Sequence, residues 1–211
     1  MCPEVFEIVQ KMDISSVETR LALQCAPVIT GIKISNLLSV SCEDAGQVKD
    51  ILKGTGIQCY CLYRQEKKYI YFLFRTKEFE AYLQEPDVRQ VLLRLGYKDF
   101  TVTKVIRAFQ RRYEAYIQYC KFPHEIGLLL GYPIEDVKGF MINKGKNYLY
   151  AGYWKVYENV EEKKLLFDAY ESAKEGLLLL VGNGYEMKSI IRGIQSSKNA
   201  RDWIQAIKNQ K

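Results

Sequence analysis

The 211-residue sequence predicts an α+β fold, in which a small mixed or antiparallel sheet is flanked by several helices in a single domain. Three observations lead to this prediction. Apolar residues recur at helical spacing in several segments, two aromatic stretches follow strand-like patterns, and hydrophobic residues make up 48% of the chain, which is enough for a full core. We expect this domain to cover residues 1–191 and a basic C-terminal tail to follow over 192–211.

The N-terminal elements are predicted from capping signals and from side-chain composition. A capping box opens a helix over about 16–25, which Pro27 should stop because proline cannot continue the hydrogen-bond ladder. Residues 31–41 are rich in β-branched and leucine side chains, which is typical of a strand. They end in a polar cluster that suits the cap of a helix over about 43–53.

A β-hairpin and a short helix are predicted next. Residues 57–64 alternate with a period of two, residues 69–74 form a second aromatic run, and the charged segment between them suits a turn. Pro86 stands where the first residue of a short helix belongs, and Gly96 stands where the glycine after its C-terminus belongs.

The clearest predicted helix carries an apolar stripe from Val102 to Cys120, with its arginines and lysines mostly off that stripe. Pro123 should end this helix by constraining the residue before it, and it should also begin the next helix as its first residue. The Gly-Tyr-Pro segment over 131–133 repeats this pattern. Two further helices, each with a proline as its first residue, are therefore expected.

An aromatic stretch over 148–157 predicts a strand, and a capping box at 159–162 opens a long helix after it. A Gly-Asn-Gly segment beginning at Gly182 should end this helix. A last short helix is expected over 185–194. The core-facing stripe of the long helix is predicted to be Leu166, Ala169, Ala173, Leu177 and Leu180.

The positive charge of the chain is concentrated at its C-terminus. The formal net charge is +6, and from Arg192 onward five basic residues stand against one acidic residue. The rest of the chain is close to balanced, so the total does not indicate a nucleic-acid-binding domain. The N-terminus lacks a secretory signal and no apolar run is long enough to span a bilayer, so we expect a cytoplasmic location and no membrane partner.

Composition also excludes several classes of chemistry. The single histidine, His124, leaves no metal site with two or three histidines in one chain, and the common nucleotide-binding and serine-hydrolase signatures are absent. The six cysteines show no Cys-x-x-Cys spacing, and in a reducing compartment we expect free thiols rather than a disulfide framework. The residues alone leave the cofactor, the reaction and the oligomeric state unassigned.

His124 and Glu125 are candidate site residues because they follow Pro123 in the first turn of a predicted helix. Backbone N–H groups are unpaired at a helix N-terminus, and together with the helix dipole they favour an anion and a neutral imidazole. A neutral imidazole suits a ligand or a general base, whereas a structural, hydrogen-bonded histidine is the alternative. Glu125 could equally cap its own helix.

The remaining candidate ligand-binding residues are Cys25, Lys33, Asn36, Lys144, Lys146, Tyr153 and Trp154. The first three could join His124, Glu125 and Lys146 in one pocket despite their separation in sequence. The last four belong to a stretch in which lysines alternate with aromatic residues, and this stretch could frame an anionic or flat aromatic ligand through charge and stacking. Its members are Lys144, Lys146 and Lys155, interleaved with Tyr148, Tyr150, Tyr153 and Trp154. Two other interpretations stay open, because Cys25 suits a buried thiol and the aromatic rings suit packing on a two-sided strand.

The most distinctive segment is Pro-His-Glu-Ile-Gly over 123–127, followed by Leu-Gly-Tyr-Pro-x-Glu-Asp-Val over 130–137 and Gly-Tyr-Trp-Lys-Val-Tyr over 152–157. Together with Cys-Ala-Pro at 25–27 and Gly-Ile-Lys-x-Ser-Asn-Leu at 31–37, it resembles a bacterial family known as domain of unknown function three-seven-nine-three. The resemblance covers about residues 16–185. It implies an uncharacterised protein of clostridia and other anaerobes, and it suggests iron or redox physiology.

Three classes of function are consistent with these observations. The first is binding of a small ligand or metal cofactor, with or without catalysis, near the Pro-His-Glu-Ile-Gly segment. The second is docking of an acidic protein partner, such as a flavodoxin-like electron carrier, by aromatic surfaces and the basic tail.

The third class is helix-turn-helix-like DNA binding, which the sequence disfavours. Residues 125–140 follow the helix-turn-helix cadence, but the would-be recognition helix begins Glu135-Asp136. Its first two turns carry Lys138 as their one cation. Phosphates and guanine edges are bound by cations, so nucleic acid is an unlikely partner.

Overall fold

The computed structural model describes residues 3–120, 122–197, 202 and 204, with side chains described from Phe6 onward. Within these residues helices combine with two small antiparallel sheets, which confirms the predicted α+β class. The elements are α1 (Pro3–Lys11), α2 (Val17–Ile29), β1 (Ser35–Ser41), α3 (Ala45–Leu52), β2 (Ile57–Arg64), β3 (Lys68–Arg75), α4 (Thr76–Tyr82), α5 (Pro86–Arg94), α6 (Val102–Tyr119), α7 (Glu125–Leu129), α8 (Ile134–Asn143), β4 (Tyr150–Ala151), β5 (Lys155–Val156), α9 (Val160–Gly182) and α10 (Met187–Ser196).

The chain forms two compact units. Unit 1 comprises the chain up to Arg75 and from Asp168 onward, and unit 2 comprises Thr76–Phe167. The first turns of α9 therefore belong to unit 2 and the rest of that helix to unit 1. Whether the chain is one domain over 1–191 stays a prediction.

Unit 1 is built on a three-stranded antiparallel sheet with strand order β1-β3-β2. The central strand β3 pairs Tyr71 with Leu38 of β1 and Leu73 with Cys59 of β2. The β2–β3 hairpin turns at Gln65, whose N–H donates to the carbonyl of Lys68. These pairings confirm the predicted hairpin and the antiparallel form of the predicted sheet.

Helix α2 packs on β1 and continues through Pro27 to Ile29, so the prediction that Pro27 stops the helix is wrong. A proline inside a helix costs about 3 kcal/mol because it removes one ladder hydrogen bond. Val28 and Ile29, in the turn that follows, are fully buried in the hydrophobic core of unit 1. Burying two such side chains contributes about 1.5–3 kcal/mol each, which offsets this cost.

In unit 2 the long helix α6 is confirmed, and it ends where Cys120 adopts a left-handed backbone with φ 55° and donates its N–H to Tyr116. Helix α7 begins at Glu125 rather than at Pro123, which corrects the predicted first residue. The cause is a tight turn in which the N–H of Ile126 bonds to the carbonyl of Pro123. His124 is therefore the residue before the helix, and Glu125 is its first residue.

The predicted continuous strand over 148–157 is instead a small hairpin of two-residue strands, β4 and β5. The chain reverses between them, with the N–H of Gly152 bonded to the carbonyl of Trp154. A Cβ on Gly152 would overlap the ring of Phe167, so this turn lies directly against α9. Aromatic alternation could not distinguish one strand from two, because the turn carries aromatic residues of its own.

The first half of the predicted stripe of α9 is displaced by one residue. Leu166 and Ala169 are half-buried, whereas Lys163, Phe167 and Tyr170 are buried, and the last three predicted positions are buried as expected. The charge of the buried Lys163 is compensated by Glu135 of α8, whose carboxylate lies 2.6 Å from the ammonium group. A charged side chain at a core-facing position of a helix interrupts the apolar pattern from which such positions are predicted.

The C-terminal tail begins inside a helix. Helix α10 extends to Ser196, so the first residues of the predicted basic tail are helical. This helix is the one predicted over 185–194, and it lies about two residues further along the chain. The tail residues 198–201, 203 and 205–211, including Trp203 and Ile207, lie outside the described residues. In the described part of the chain, no helix combines the length and the apolar character that a bilayer crossing requires.

Gly139 of α8 is expected to tolerate no side chain, because a Cβ there would lie 2.6 Å from the Cβ of Tyr157. Gly139→Ala should therefore destabilise the protein by about 1–3 kcal/mol in denaturant unfolding, although alanine is the better helix former. Gly46→Ala is the matched control, since Gly46 lies in a helix with nothing within 4 Å of a built Cβ. Equal effects of the two changes would contradict the close approach.

Candidate functional site

A cavity of about 250 Å³ lies in unit 2, beside the Pro-His-Glu-Ile-Gly segment. Helices α7 and α8 provide one side of it, and the β4–β5 hairpin provides the other. Its lining is mostly apolar, and six ring-bearing side chains contribute to it: Phe122, His124, Tyr132, Phe140, Tyr153 and Trp154. Flat surfaces therefore dominate the space that a ligand would occupy.

Trp154 forms the inner wall of the cavity. Its indole stacks on Tyr132 with ring centroids 4.7 Å apart and an angle of 24° between the planes. The ring of Phe167 meets the same indole edge-on at 4.5 Å. Trp154 is only 8% exposed, so its ring is fixed by packing on both sides.

His124, Phe122 and Phe140 form a second group of rings at the outer part of the cavity. Their centroids are 5.8 to 6.3 Å apart, and each ring contacts the other two. Phe122 is 43% exposed and His124 is also exposed, which places this group at the solvent side. The five-residue helix α7 is too short for a strong dipole, so the expected helix-terminus effect on His124 lacks its structural basis.

Asp136 fixes the hairpin wall to α8. One carboxylate oxygen accepts the indole N–H of Trp154 at 2.7 Å, and the other accepts the backbone N–H groups of Tyr157 at 2.7 Å and Glu158 at 3.3 Å. The side chain is buried, with 2% exposed. A carboxylate with three N–H donors has its charge compensated locally, so Asp136 acts as a positioning residue for Trp154.

Lys155 is the cationic side chain of the lining. It is half-buried, its Nζ donates to the carbonyl of Gly145 at 2.6 Å, and it lies 4.8 Å from the ring centre of Tyr148. Lys144 and Lys146 flank Gly145 in sequence and are exposed, and neither lines the cavity. The two predicted lysines are thus connected to the cavity through Gly145 and Lys155.

Glu125 does not line the cavity. It is 1% exposed, it lies 3.4 Å from the guanidinium Nε of Arg112, and it accepts a hydrogen bond of 3.0 Å from the hydroxyl of Tyr97. Burial and the Glu125 carboxylate raise the pKa of Tyr97 well above its usual range. Glu125 thus forms a buried ion pair that joins α6 to α7, and a role for it in ligand binding stays a prediction.

Cys25, Lys33 and Asn36 lie together in unit 1. The Lys33 Nζ donates to Asn36 Oδ1 at 2.8 Å, and the Asn36 amide donates to the carbonyl of Gln24 and lies 4.0 Å from Cys25 Sγ. Burial raises the pKa of the Cys25 thiol to about 12 and lowers the pKa of Lys33 to about 8. The preference for a buried Cys25 is confirmed, whereas one shared pocket for all the candidate residues stays a prediction.

Sequence reasoning missed Asp136 and Phe140, and it considered Lys155 only as a member of the lysine- and aromatic-rich stretch. Asp136 looks like an ordinary acidic residue in the first turn of a helix, and its partners lie 18 to 22 residues away. The pairing of the buried Asp136 carboxylate with Trp154 leaves no local pattern in the sequence. Phe140 has the spacing of a helix-packing residue, and no signal separates that role from cavity lining.

Cysteines, histidine and acidic residues do not cluster in the described residues in a way that suits a metal ion: no group of three or more is close enough together. The five described cysteines, which are all but Cys2, are free thiols, as predicted.

A sequence model of the family described as Protein of unknown function (DUF3793) matches residues 21–191, a range that includes all the described lining residues of the cavity. No curated protein and no solved structure matches the chain.

Cys25 is expected to be inert toward alkylation. Its thiol is fully buried and its pKa is raised to about 12 by that burial, so little thiolate forms at mildly alkaline pH. Iodoacetamide should modify the exposed Cys120 in the folded protein and leave Cys25 unmodified, as read by peptide mass spectrometry. Both should react in guanidinium, and equal rates in the folded protein would contradict the burial.

Asp136→Asn should loosen the cavity wall. The amide keeps one acceptor oxygen but turns an NH₂ group toward an N–H donor, which should cost about 1.5–3 kcal/mol of stability. In a Trp203→Phe background, Trp154 emission should shift to the red as its indole gains water.

The matched control is Asp87→Asn, because Asp87 is 72% exposed and lies 3.8 Å from Lys138. This change should cost less than about 0.5 kcal/mol. An Asp136→Asn protein with unchanged stability and emission would show that the carboxylate does not hold the wall.

Proposed function

Since the chain belongs to the family of proteins of unknown function DUF3793, we propose its function from the cavity of unit 2: it binds a small, flat and largely apolar ligand there. The ring-lined space around Trp154 is the observation that supports this proposal. Cavities lined mainly by aromatic side chains, with a few fixed polar groups, are the usual form of small-molecule sites. A catalytic step and a place in iron or redox physiology stay predictions.

The size of the cavity limits the ligand. At about 250 Å³ it is slightly below the range of about 300–1,000 Å³ that is usual for ligand sites. A molecule of one or two fused rings fits this space better than a nucleotide or a larger cofactor. The six ring-bearing side chains of the lining offer such a molecule aromatic contacts.

The wall of the cavity is rigid where it matters for binding. Trp154 is held by Asp136 through its indole N–H and by two flanking rings, so little side-chain freedom remains to be lost when a ligand contacts it. A preorganised surface binds more tightly because ordering costs are already met in the free protein. Of the two alternatives, a small organic ligand and a metal cofactor, the geometry therefore supports the organic ligand better.

Docking of an acidic protein partner is the second candidate function. Exposed apolar side chains extend from the cavity along the hairpin, namely Tyr148, Leu149, Tyr150 and Tyr153. Contiguous exposed apolar side chains often belong to interaction sites. Because Tyr153 also lines the cavity, we give the small ligand precedence.

Nucleic acid binding is disfavoured by the same region. Helices α7 and α8 do follow one another across a tight turn, as the sequence cadence suggested. Glu135 and Asp136, at the start of α8, are held by Lys163 and by the hairpin, and Lys138 faces Asp87 at 3.8 Å. An acidic helix start with one paired lysine offers phosphates little attraction.

A titration with 2-naphthamide, a neutral two-ring probe, tests the proposal. In a Trp203→Phe background the probe should quench Trp154 emission saturably. Tyr153→Ala should weaken binding roughly tenfold, or about 1.4 kcal/mol, because one face of the cavity is lost.

The control is Tyr119→Ala, which removes a 62%-exposed ring of α6 that does not line the cavity. Its dissociation constant should stay within twofold of that of the parent protein. Quenching that does not saturate, or equal effects of the two changes, would overturn the proposed site.

A further inference from the structure

We infer that the ligand of this cavity carries an anionic group, and that Lys155 binds it. This inference rests on the proposed binding function and names the chemical class of the ligand, a small aromatic carboxylic acid. Lys155 lines the cavity, and its ammonium group is held at 2.6 Å from the carbonyl of Gly145. An ammonium group has three N–H donors, so two remain for an acceptor in the cavity.

The lysines in this part of unit 2 fall into two sets, according to whether a carboxylate lies within 4 Å of the ammonium group. Lys138, Lys163 and Lys164 each lie within 4 Å of a carboxylate, belonging to Asp87, Glu135 and Glu161 respectively. Lys144, Lys146 and Lys155 have no carboxylate within that distance among the described residues. The unpaired set converges on Gly145, since two of its members flank this glycine and the third binds its carbonyl.

The C-terminus of α8 lies at the same turn and does not neutralise these charges. Lys144 is the capping residue of α8, with a left-handed φ of 52°, and lysines near a helix C-terminus are favoured by its dipole. That dipole amounts to roughly half an elementary charge, whereas three lysines bring about three. A net positive potential therefore remains at this edge of the cavity, where an anion would be attracted.

Asp136 does not make the cavity a site for a cation. Aromatic cages for ammonium ligands bind the charge with ring faces, and an acidic side chain that faces the ligand strengthens them. Here both oxygens of the Asp136 carboxylate accept N–H groups from the protein, and the side chain is buried. Lys155 is the one lysine or arginine side chain in the described lining, and its ammonium group keeps N–H donors beyond the bond to Gly145.

A matched pair of probes tests the charge of the ligand. 2-Naphthoate and 2-naphthamide have the same ring system and differ in charge. In the Trp203→Phe protein we expect 2-naphthoate to bind at least tenfold more tightly, with a preference that falls as salt is raised. Lys155→Met should remove this preference, because it should weaken 2-naphthoate far more than 2-naphthamide.

Two variants keep the test independent of folding. Lys155→Arg should retain the preference for the acid, and Lys144→Met/Lys146→Met, which leaves the Lys155–Gly145 bond in place, should reduce it by two- to fivefold. Lys164→Met is the control, because Lys164 pairs with Glu161 and should not alter the preference. Thermal unfolding of each variant identifies any loss of structure.

The outcomes distinguish the two proposals. If both probes bind equally in the parent protein, or if Lys155→Met weakens both alike, the inference fails while the binding function stands. If neither probe saturates Trp154 quenching, the binding function itself fails. A preference for the acid that persists in Lys155→Met and in the double variant would also overturn the role of these lysines.

Discussion

The hydrogen bonds of Asp136 are the interaction on which the architecture around the cavity depends. Strands β4 and β5 have two residues each, which is too few to form a stable hairpin by themselves. The carboxylate connects this hairpin to α8 at three N–H groups, and one of them orients the indole of Trp154. Gly139 and Gly152 then permit the close contacts with Tyr157 and Phe167 that the arrangement requires.

Local patterns predicted the elements that carry their own signals. The β2–β3 hairpin, α5 and α6 were foreseen because alternation, proline and an apolar stripe are short-range features. Helices α1 and α4 were not foreseen, and α4 starts directly after β3 with no glycine or capping signal between them. Pro27 misled the prediction because core burial, which decides its position, depends on contacts that the sequence does not display.

The candidate site was predictable in its residue types and not in its geometry. His124, Tyr153 and Trp154 were expected and do line one cavity, whereas Asp136, which positions the tryptophan, is distant in sequence from all its partners. Glu125 was expected at a site, and in the structure its carboxylate pairs with Arg112 and accepts a hydrogen bond from Tyr97. A polar residue in a distinctive segment can thus serve the fold as well as a ligand, and only its neighbours in space decide which.

The short hairpin also couples occupancy of the cavity to the integrity of unit 2. The hairpin wall is held mainly by its contacts with α8 and α9, so a ligand that contacts the wall binds a surface that exists only in the folded unit. Any molecule that binds only the assembled wall adds RT ln(1 + [L]/Kd) to the free energy of unfolding. At a ligand concentration a hundred times its Kd this amounts to about 2.7 kcal/mol, comparable to the contribution of a well-packed core side chain. A bound molecule would thereby raise the resistance of the folded protein to unfolding and to degradation, by an amount set by its concentration relative to its Kd.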